Sequence, residues 1–224
     1  SLVFLACSNA TRYGKRAQKC GNYVLAKMLY LIAAHSGDGS AQNNLAGFYA
    51  EGLGGDRSDR LAVKWFEKAA AAGVSAATFN LSNFYEEGRG VPRDIRKATT
   101  LLEDLAKQGD SVAAFNLGHI YATGRDDFPQ DMEKAIQWYE ISAQKGYASA
   151  QYNLGNIYAQ GTGGVAKDWV LAGQWVLKAA QRDHHKAQMD YGFMLLAGIG
   201  VSENRTEGIQ WLAKAAKDPA TFKL

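Results

Sequence analysis

The sequence has few prolines and cysteines, and it lacks a long apolar run. Its 224 residues include three prolines and two cysteines, and no stretch approaches the roughly 20 apolar residues that a transmembrane helix needs. Neither sign of charge predominates, since the chain has 25 basic and 22 acidic residues and a net charge of +3. This balance gives no strong field for nucleic acid or for an anionic membrane. We therefore expect no nucleic-acid partner and no membrane span.

Residue patterns that carry chemistry are absent as well. The four histidines form no His-Glu-x-x-His motif, and no histidine or cysteine cluster has metal-ligand spacing. Gly161-Thr-Gly-Gly164 resembles a phosphate loop but lacks the Lys-Ser/Thr that would follow. We expect His184 and His185 to lie in a solvated turn. The sequence predicts no catalytic site, no metal and no cofactor, and hence a protein that is not an enzyme.

Glycine is abundant, and its placement reveals a repeat. Because a glycine inside a helix costs about 1 kcal/mol relative to alanine, 24 glycines in an Ala- and Leu-rich chain must punctuate helices. One series recurs every 36 or 37 residues, at Gly52, Gly88, Gly124, Gly161 and Gly198. A second series keeps the same spacing, at Gly37, Gly73, Gly109 and Gly146, and continues as Asp183 and Asp218. Periods of 20 to 50 residues are typical of solenoid proteins.

Each repeat divides into two helices. On the first helix, alanine, leucine and tyrosine recur at i, i+4 and i+8, which places them on one helical face. The central residue of this pattern is Leu45, Leu81, Leu117, Leu154 and Tyr191 in successive repeats. The second helix alternates large aromatic residues with alanines, so that a bulky side chain can enter a shallow hole on the neighbouring helix. An aspartate at or near each second-helix N-terminus, at Asp59, Asp94, Asp131 and Asp168, can cap free N–H groups.

The repeat predicts an all-α chain with a single domain over residues 1–224. We assign residues 1–36 to a degenerate N-terminal capping repeat, in which Tyr13 lies 36 residues before Tyr49. The repeats that follow cover 37–73, 74–109, 110–146, 147–183 and 184–218, and residues 219–224 form a tail.

The segments Ala77 to Asp94 and Ala150 to Gly161 resemble the Sel-1-like repeat, a relative of the tetratricopeptide repeat. The resemblance implies a right-handed α-solenoid of five to six helix–turn–helix repeats whose first helices line a concave face. It also implies a bacterial adaptor that binds another protein. Two narrower forms are an immunity protein that inhibits a secreted type VI phospholipase toxin, and an envelope scaffold or virulence-associated adaptor.

On that arrangement, non-core positions of the first helices form the candidate partner-binding surface. Aromatic residues there supply area, and asparagines can both donate to and accept from a main chain. The candidates are Asn43, Phe79, Asn80, Asn83, Phe115, Asn116, His119, Tyr152, Asn153, Asn156, Met189 and Phe193. Two alternatives stay open: the asparagines hold neighbouring loops, and the aromatics belong to the core between repeats. An enzyme site in the groove would have only His119, Asp190 and Glu86 to draw on.

Cys7 and Cys20 are the only cysteines. Because some exported members of the family staple helix pairs with disulfides, the resemblance makes them a disulfide candidate, with two separate thiols as the alternative. The apolar residues before Cys7 also resemble the end of a lipoprotein signal, in which that cysteine would be lipidated. Both interpretations favour a periplasmic or otherwise exported protein, and a cytoplasmic location is the alternative.

Overall fold

The computed structural model describes residues 2–124 and 128–216, with side chains from residue 9 onward. These residues form twelve α-helices: α1 (Leu2–Lys19), α2 (Tyr23–His35), α3 (Gly39–Glu51), α4 (Asp59–Ala71), α5 (Ser75–Glu87), α6 (Ile95–Lys107), α7 (Ser111–Thr123), α8 (Met132–Gln144), α9 (Ala148–Gln160), α10 (Trp169–Gln181), α11 (His185–Ala197) and α12 (Arg205–Ala215). In the described part of the chain, no helix is long and apolar enough to cross a membrane. The tail 219–224, Asp218 and the side chain of Cys7 lie outside the described residues.

The helices alternate between the two predicted types. The odd-numbered helices are the first helices of the repeats, and the even-numbered ones are the second helices. Within residues 1–105 and within residues 106–224, second helices pack on their own first helix, as in α3 with α4 and α9 with α10, and on the first helix of the next repeat, as in α4 with α5 and α10 with α11. The prediction of an all-α repeat solenoid is confirmed. The chain forms two compact units, residues 1–105 and 106–224, which we describe separately.

The predicted central residues of the first helices are buried. Leu45, Leu117 and Leu154 are fully inaccessible. The i, i+4, i+8 pattern does not include a further apolar residue, three positions after the central one, that is buried in every repeat from α3 onward: Phe48, Phe84, Ile120, Ile157 and Met194. Positions i and i+3 lie on the same side of a helix, so both face the core.

A small residue on the first helix admits a large residue from the second helix. A Cβ atom at Gly118 would lie 2.6 Å from Cδ1 of Tyr139, and one at Gly155 would lie 2.6 Å from Cγ2 of Val176. In the first pair, Gly14 has the same relation to Tyr30 at 2.7 Å. The predicted entry of a bulky side chain into a shallow hole is therefore present, and the hole is a helical glycine.

A buried glutamine ties successive repeats together. The Nε2 atoms of Gln42, Gln151 and Gln188 donate to the backbone oxygens of Ala34, Ala143 and Ala180, at 3.0 to 3.1 Å. Each acceptor lies in the last turns of a second helix, where carbonyl groups lack partners within the helix. The glutamine near the start of one repeat thus donates a hydrogen bond to a backbone carbonyl at the end of the preceding repeat.

The helix ends follow the predicted chemistry with two differences. Asp94, Asp131 and Asp168 accept backbone N–H bonds at second-helix N-termini, but at α4 the cap is Ser58. Asp59 instead binds Arg89 at 2.9 Å, and this hydrogen bond lowers the pKa of the Asp59 carboxyl. Four glycines of the first series are left-handed helix ends, whereas Gly124 combines a φ of 61° with an extended ψ of −178°.

One prediction about the first helix pair is wrong. Tyr13 does not correspond to Tyr49, since it is 56% exposed and the neighbouring Gly14 takes the helical glycine position. The cause is the short connection between α1 and α2, which shifts α1 relative to the later repeats. The disulfide candidate stays a prediction, because the side chain of Cys7 lies outside the described residues; Cys20 is exposed directly after the end of α1.

Two glycine-to-alanine substitutions test the helical glycine contact, because they should change the free energy of unfolding in opposite directions. We expect Gly14→Ala to destabilise the protein by about 1–3 kcal/mol, because the added methyl group meets the buried ring of Tyr30. Gly47 lies on α3, and no atom lies within 4 Å of the Cβ that alanine would add there. We therefore expect Gly47→Ala to stabilise the protein by up to about 1 kcal/mol, because alanine has the higher helix propensity. Denaturant unfolding of both variants measures the difference, and equal shifts would contradict the contact.

Candidate functional site

The predicted binding residues all lie on first helices, and most are partly accessible. Ten of the twelve are half-buried, while His119 and Phe193 are exposed. In residues 1–105, Asn80 on α5 donates through Nδ2 to Oδ1 of Asn43 on α3, at 3.4 Å. Phe79 and Asn83 are half-buried on α5. This amide pair links adjacent first helices and presents them as one surface.

Phe115 belongs to the packing between helices rather than to a free binding surface. Its ring lies 5.7 Å from that of Tyr139 on α8 and 5.0 Å from that of Tyr147, the residue that precedes α9. Asn116 donates to the backbone of its own helix, at Val112. For Phe115 the alternative of an inter-repeat core residue is therefore the one that its contacts favour.

Tyr152 on α9 is held from three sides. Its hydroxyl donates to Oδ2 of Asp190 on α11 at 2.8 Å, and its ring stacks on that of His184, with the centroids 4.6 Å apart. The side chain of Asn156 also hydrogen-bonds to this hydroxyl. Burial raises the pKa of Tyr152, and the Asp190 carboxylate raises it further. Tyr152 thus stays a neutral donor that joins α9 to α11.

His184 lies in the expected turn between α10 and α11, but it is half-buried and has a structural role. Its Nδ1 atom accepts the backbone N–H of Ala187 at 3.2 Å and caps α11. Burial lowers the pKa of His184, and the neighbouring charges of His185 and Lys186 lower it further. Because Nδ1 accepts, the neutral ring carries its proton on Nε2 and can donate from there.

These residues border an open cleft in residues 106–224. The cleft has a volume of about 630 Å³ and is lined by Tyr152, Asn153, Asp183, His184, His185, Lys186 and Met189. Its turn is fixed by Asp183, which adopts a φ of 59° and binds Nζ of Lys214 at 2.9 Å. Asn153 is also hydrogen-bonded to Tyr139.

The structure brings together only three of the predicted residues in this cleft, namely Tyr152, Asn153 and Met189. The turn residues of the cleft are not among the predicted binding residues, although the sequence contains a signal for them. The residue before each first helix recurs as Asp38, Val74, Asp110, Tyr147 and His184. Tyr147 contacts the aromatic residue 32 positions earlier, Phe115, as His184 contacts Tyr152.

The cleft offers donors, one cation and an apolar wall. The His184 ring can donate, Lys186 supplies positive charge, and Met189 supplies an adaptable apolar contact. In the part of the chain that the structure describes, no group of three or more His, Cys, Asp or Glu residues could hold a metal ion. The arrangement suits noncovalent binding of a polypeptide segment that carries carbonyl or carboxylate oxygens.

The chain belongs to the Sel1 repeat family, whose model matches residues 4–38, 39–74, 75–110, 111–147, 148–184 and 185–218. The Sel1 repeat fold is a protein-interaction scaffold, and the family is generally non-catalytic. A comparison with curated proteins gave no match.

Solved structures show the same fold. A Sel1 repeat protein from Oxalobacter formigenes is 30% identical with a TM-score of 0.80, and the match covers 93% of this chain and 84% of that one. The protective antigen c5321 of uropathogenic Escherichia coli is 29% identical with a TM-score of 0.63, over 94% of this chain and 53% of that one. Immunity protein Pa5087 of Pseudomonas aeruginosa is 16% identical with a TM-score of 0.55, over 93% and 81% of the two chains.

The pKa of His184 generates a pH prediction. Because its pKa is lowered in the fold from an unfolded value near 6.5, the unfolded chain takes up the proton first as pH falls. The stabilising contribution is therefore complete above about pH 7 and declines as pH drops below about 6.5. Thermal unfolding should show a shallower loss of stability over this range in His184→Asn, which keeps a capping acceptor. Superimposable pH profiles of the two proteins would contradict this assignment.

Proposed function

We propose that this chain is a non-catalytic interaction module that binds a partner protein through its first-helix surface, centred on the cleft between α9 and α11. The observation that carries the proposal is that the cleft walls are held in place before any partner binds. Tyr152 is fixed by Asp190 and His184, and His184 is fixed by the N-terminus of α11. Side chains that are already ordered lose little entropy on binding, which favours affinity.

The expected binding mode is capture of an extended segment or a loop of the partner. The His184 ring and the Asn153 amide can pair with main-chain oxygens, and Lys186 favours an acidic side chain nearby. Met189 and the Tyr152 ring supply apolar contact. Exposed Phe193 lies one turn beyond Met189 on α11 and extends the same surface.

Inhibition of a secreted phospholipase toxin is the narrower form of this proposal. It is supported by a likeness of fold alone, since a protein of this architecture that is 16% identical is an immunity protein. A lipase partner whose activity falls on binding this chain would establish it. An envelope scaffold or virulence-associated adaptor is the other narrow form, and the exported location stays a prediction.

The test is affinity capture of the partner with matched variants. We expect Lys186→Ala/Met189→Ala to weaken binding by tenfold or more, because both side chains line the cleft. Gln174→Ala/Lys178→Ala changes two exposed residues of α10 and should bind like the wild type. Circular dichroism and thermal unfolding verify that all three proteins fold. If the cleft variant keeps the partner while the α10 variant loses it, the binding surface lies on the second helices and the proposal fails.

A further inference from the structure

The second helix of the first pair, α2, exposes an aliphatic face. Val24 is 60% exposed, Leu25 45%, Met28 58%, Leu31 37% and Ile32 55%. Their spacing places them on one side of the helix, opposite the buried residues Ala26, Tyr30, Ala33 and Ala34. Single exposed apolar residues are ordinary, but a contiguous set of five marks an interaction surface.

The other repeats show that the fold does not require aliphatic residues at these positions. The buried alanines Ala26, Ala62 and Ala98 align α2 with α4 and α6. The corresponding residues are Arg60, Leu61, Lys64, Glu67 and Lys68 in α4, and Arg96, Lys97, Thr100, Glu103 and Asp104 in α6. All five α4 positions are exposed even though α4 is followed by another repeat. Stacking of repeats therefore leaves these positions in solvent and does not explain the α2 face.

The same helix pair is strongly basic. Residues 1–37 contain five basic residues and no acidic one, whereas the remaining residues carry a net charge of −2. Four of the five, Arg12, Lys15, Arg16 and Lys19, are exposed on one face of α1, and Lys27 lies on α2. The near-neutral total charge thus conceals a local excess of +5.

We propose that this helix pair docks on an anionic lipid surface, with the aliphatic face of α2 entering the boundary between headgroups and acyl chains. A second copy of the chain is the wrong complement, because a symmetric contact would bring two basic helix pairs together with no acid to neutralise them. The face is a ridge on one helix rather than a groove, which a fluid bilayer accommodates. Basic side chains within a Debye length of the surface add attraction to anionic headgroups.

Vesicle binding of the whole chain tests the proposal. The probes are vesicles of phosphatidylcholine alone and vesicles with about one-third phosphatidylglycerol. We expect the wild type to sediment with the anionic vesicles only. The bound fraction should fall at high salt, because salt screens the attraction between charges. Met28→Gln/Ile32→Gln should lower the partition coefficient by about tenfold or more, since it removes apolar insertion. Arg12→Gln/Lys15→Gln/Lys19→Gln should lower it on anionic vesicles.

Control variants separate this face from general stickiness. Ile209→Gln removes another exposed aliphatic residue, which is 61% exposed on α12, and should bind as the wild type does. Arg60→Gln/Lys64→Gln removes two positive charges from α4. It should lower binding to anionic vesicles less than the α1 variant, Arg12→Gln/Lys15→Gln/Lys19→Gln. Three results would overturn the proposal: no binding to anionic vesicles, equal loss in Ile209→Gln and the α2 variant, or a dimer in solution that Met28→Gln/Ile32→Gln abolishes.

Discussion

The architecture depends on the close approach of the two helices in each repeat. On α7 and α9 a helical glycine accepts a large side chain from the second helix, as Gly118 accepts Tyr139 and Gly155 accepts Val176, and α3 and α5 carry the small residues Ala46 and Ser82 at that position. Glycine is unfavourable in a helix interior, so its presence there is offset by the packing it allows. The buried glutamines then join one pair to the next by bonding to backbone oxygens at the ends of second helices. Core packing and backbone hydrogen bonding together set the repeat.

This division of labour leaves the remaining first-helix positions available for function. The core uses the small residues, the central leucines and the apolar residues three positions later, all of which point away from solvent. Around the α9–α11 cleft, the other positions are occupied by residues that hold one another, with Tyr152 between Asp190 and His184. The helices therefore hold the cleft residues in fixed positions, and the repeat allows residues of different kinds at these positions.

Periodicity predicts the fold, because glycine spacing and the i, i+4, i+8 pattern report backbone geometry directly. It assigns Leu45 and Leu154 to the core without further information. It fails where a loop changes length, as between α1 and α2, so Tyr13 does not take the position of Tyr49 and is exposed. It also fails where function depends on contacts between residues far apart in sequence. His184 resembles an ordinary turn residue until its distance from Tyr152 is known.

Hydrogen exchange of the chain alone and with its captured partner tests whether the partner binds at the cleft between α9 and α11. We expect the partner to protect amides at the start of α11 and in the α9 segment 152–156, because both border the cleft. Amides on the solvent-facing side of α10 should exchange at the same rate in both samples. Protection confined to the second helices, with α9 and α11 unchanged, would show that the partner binds elsewhere than at the cleft.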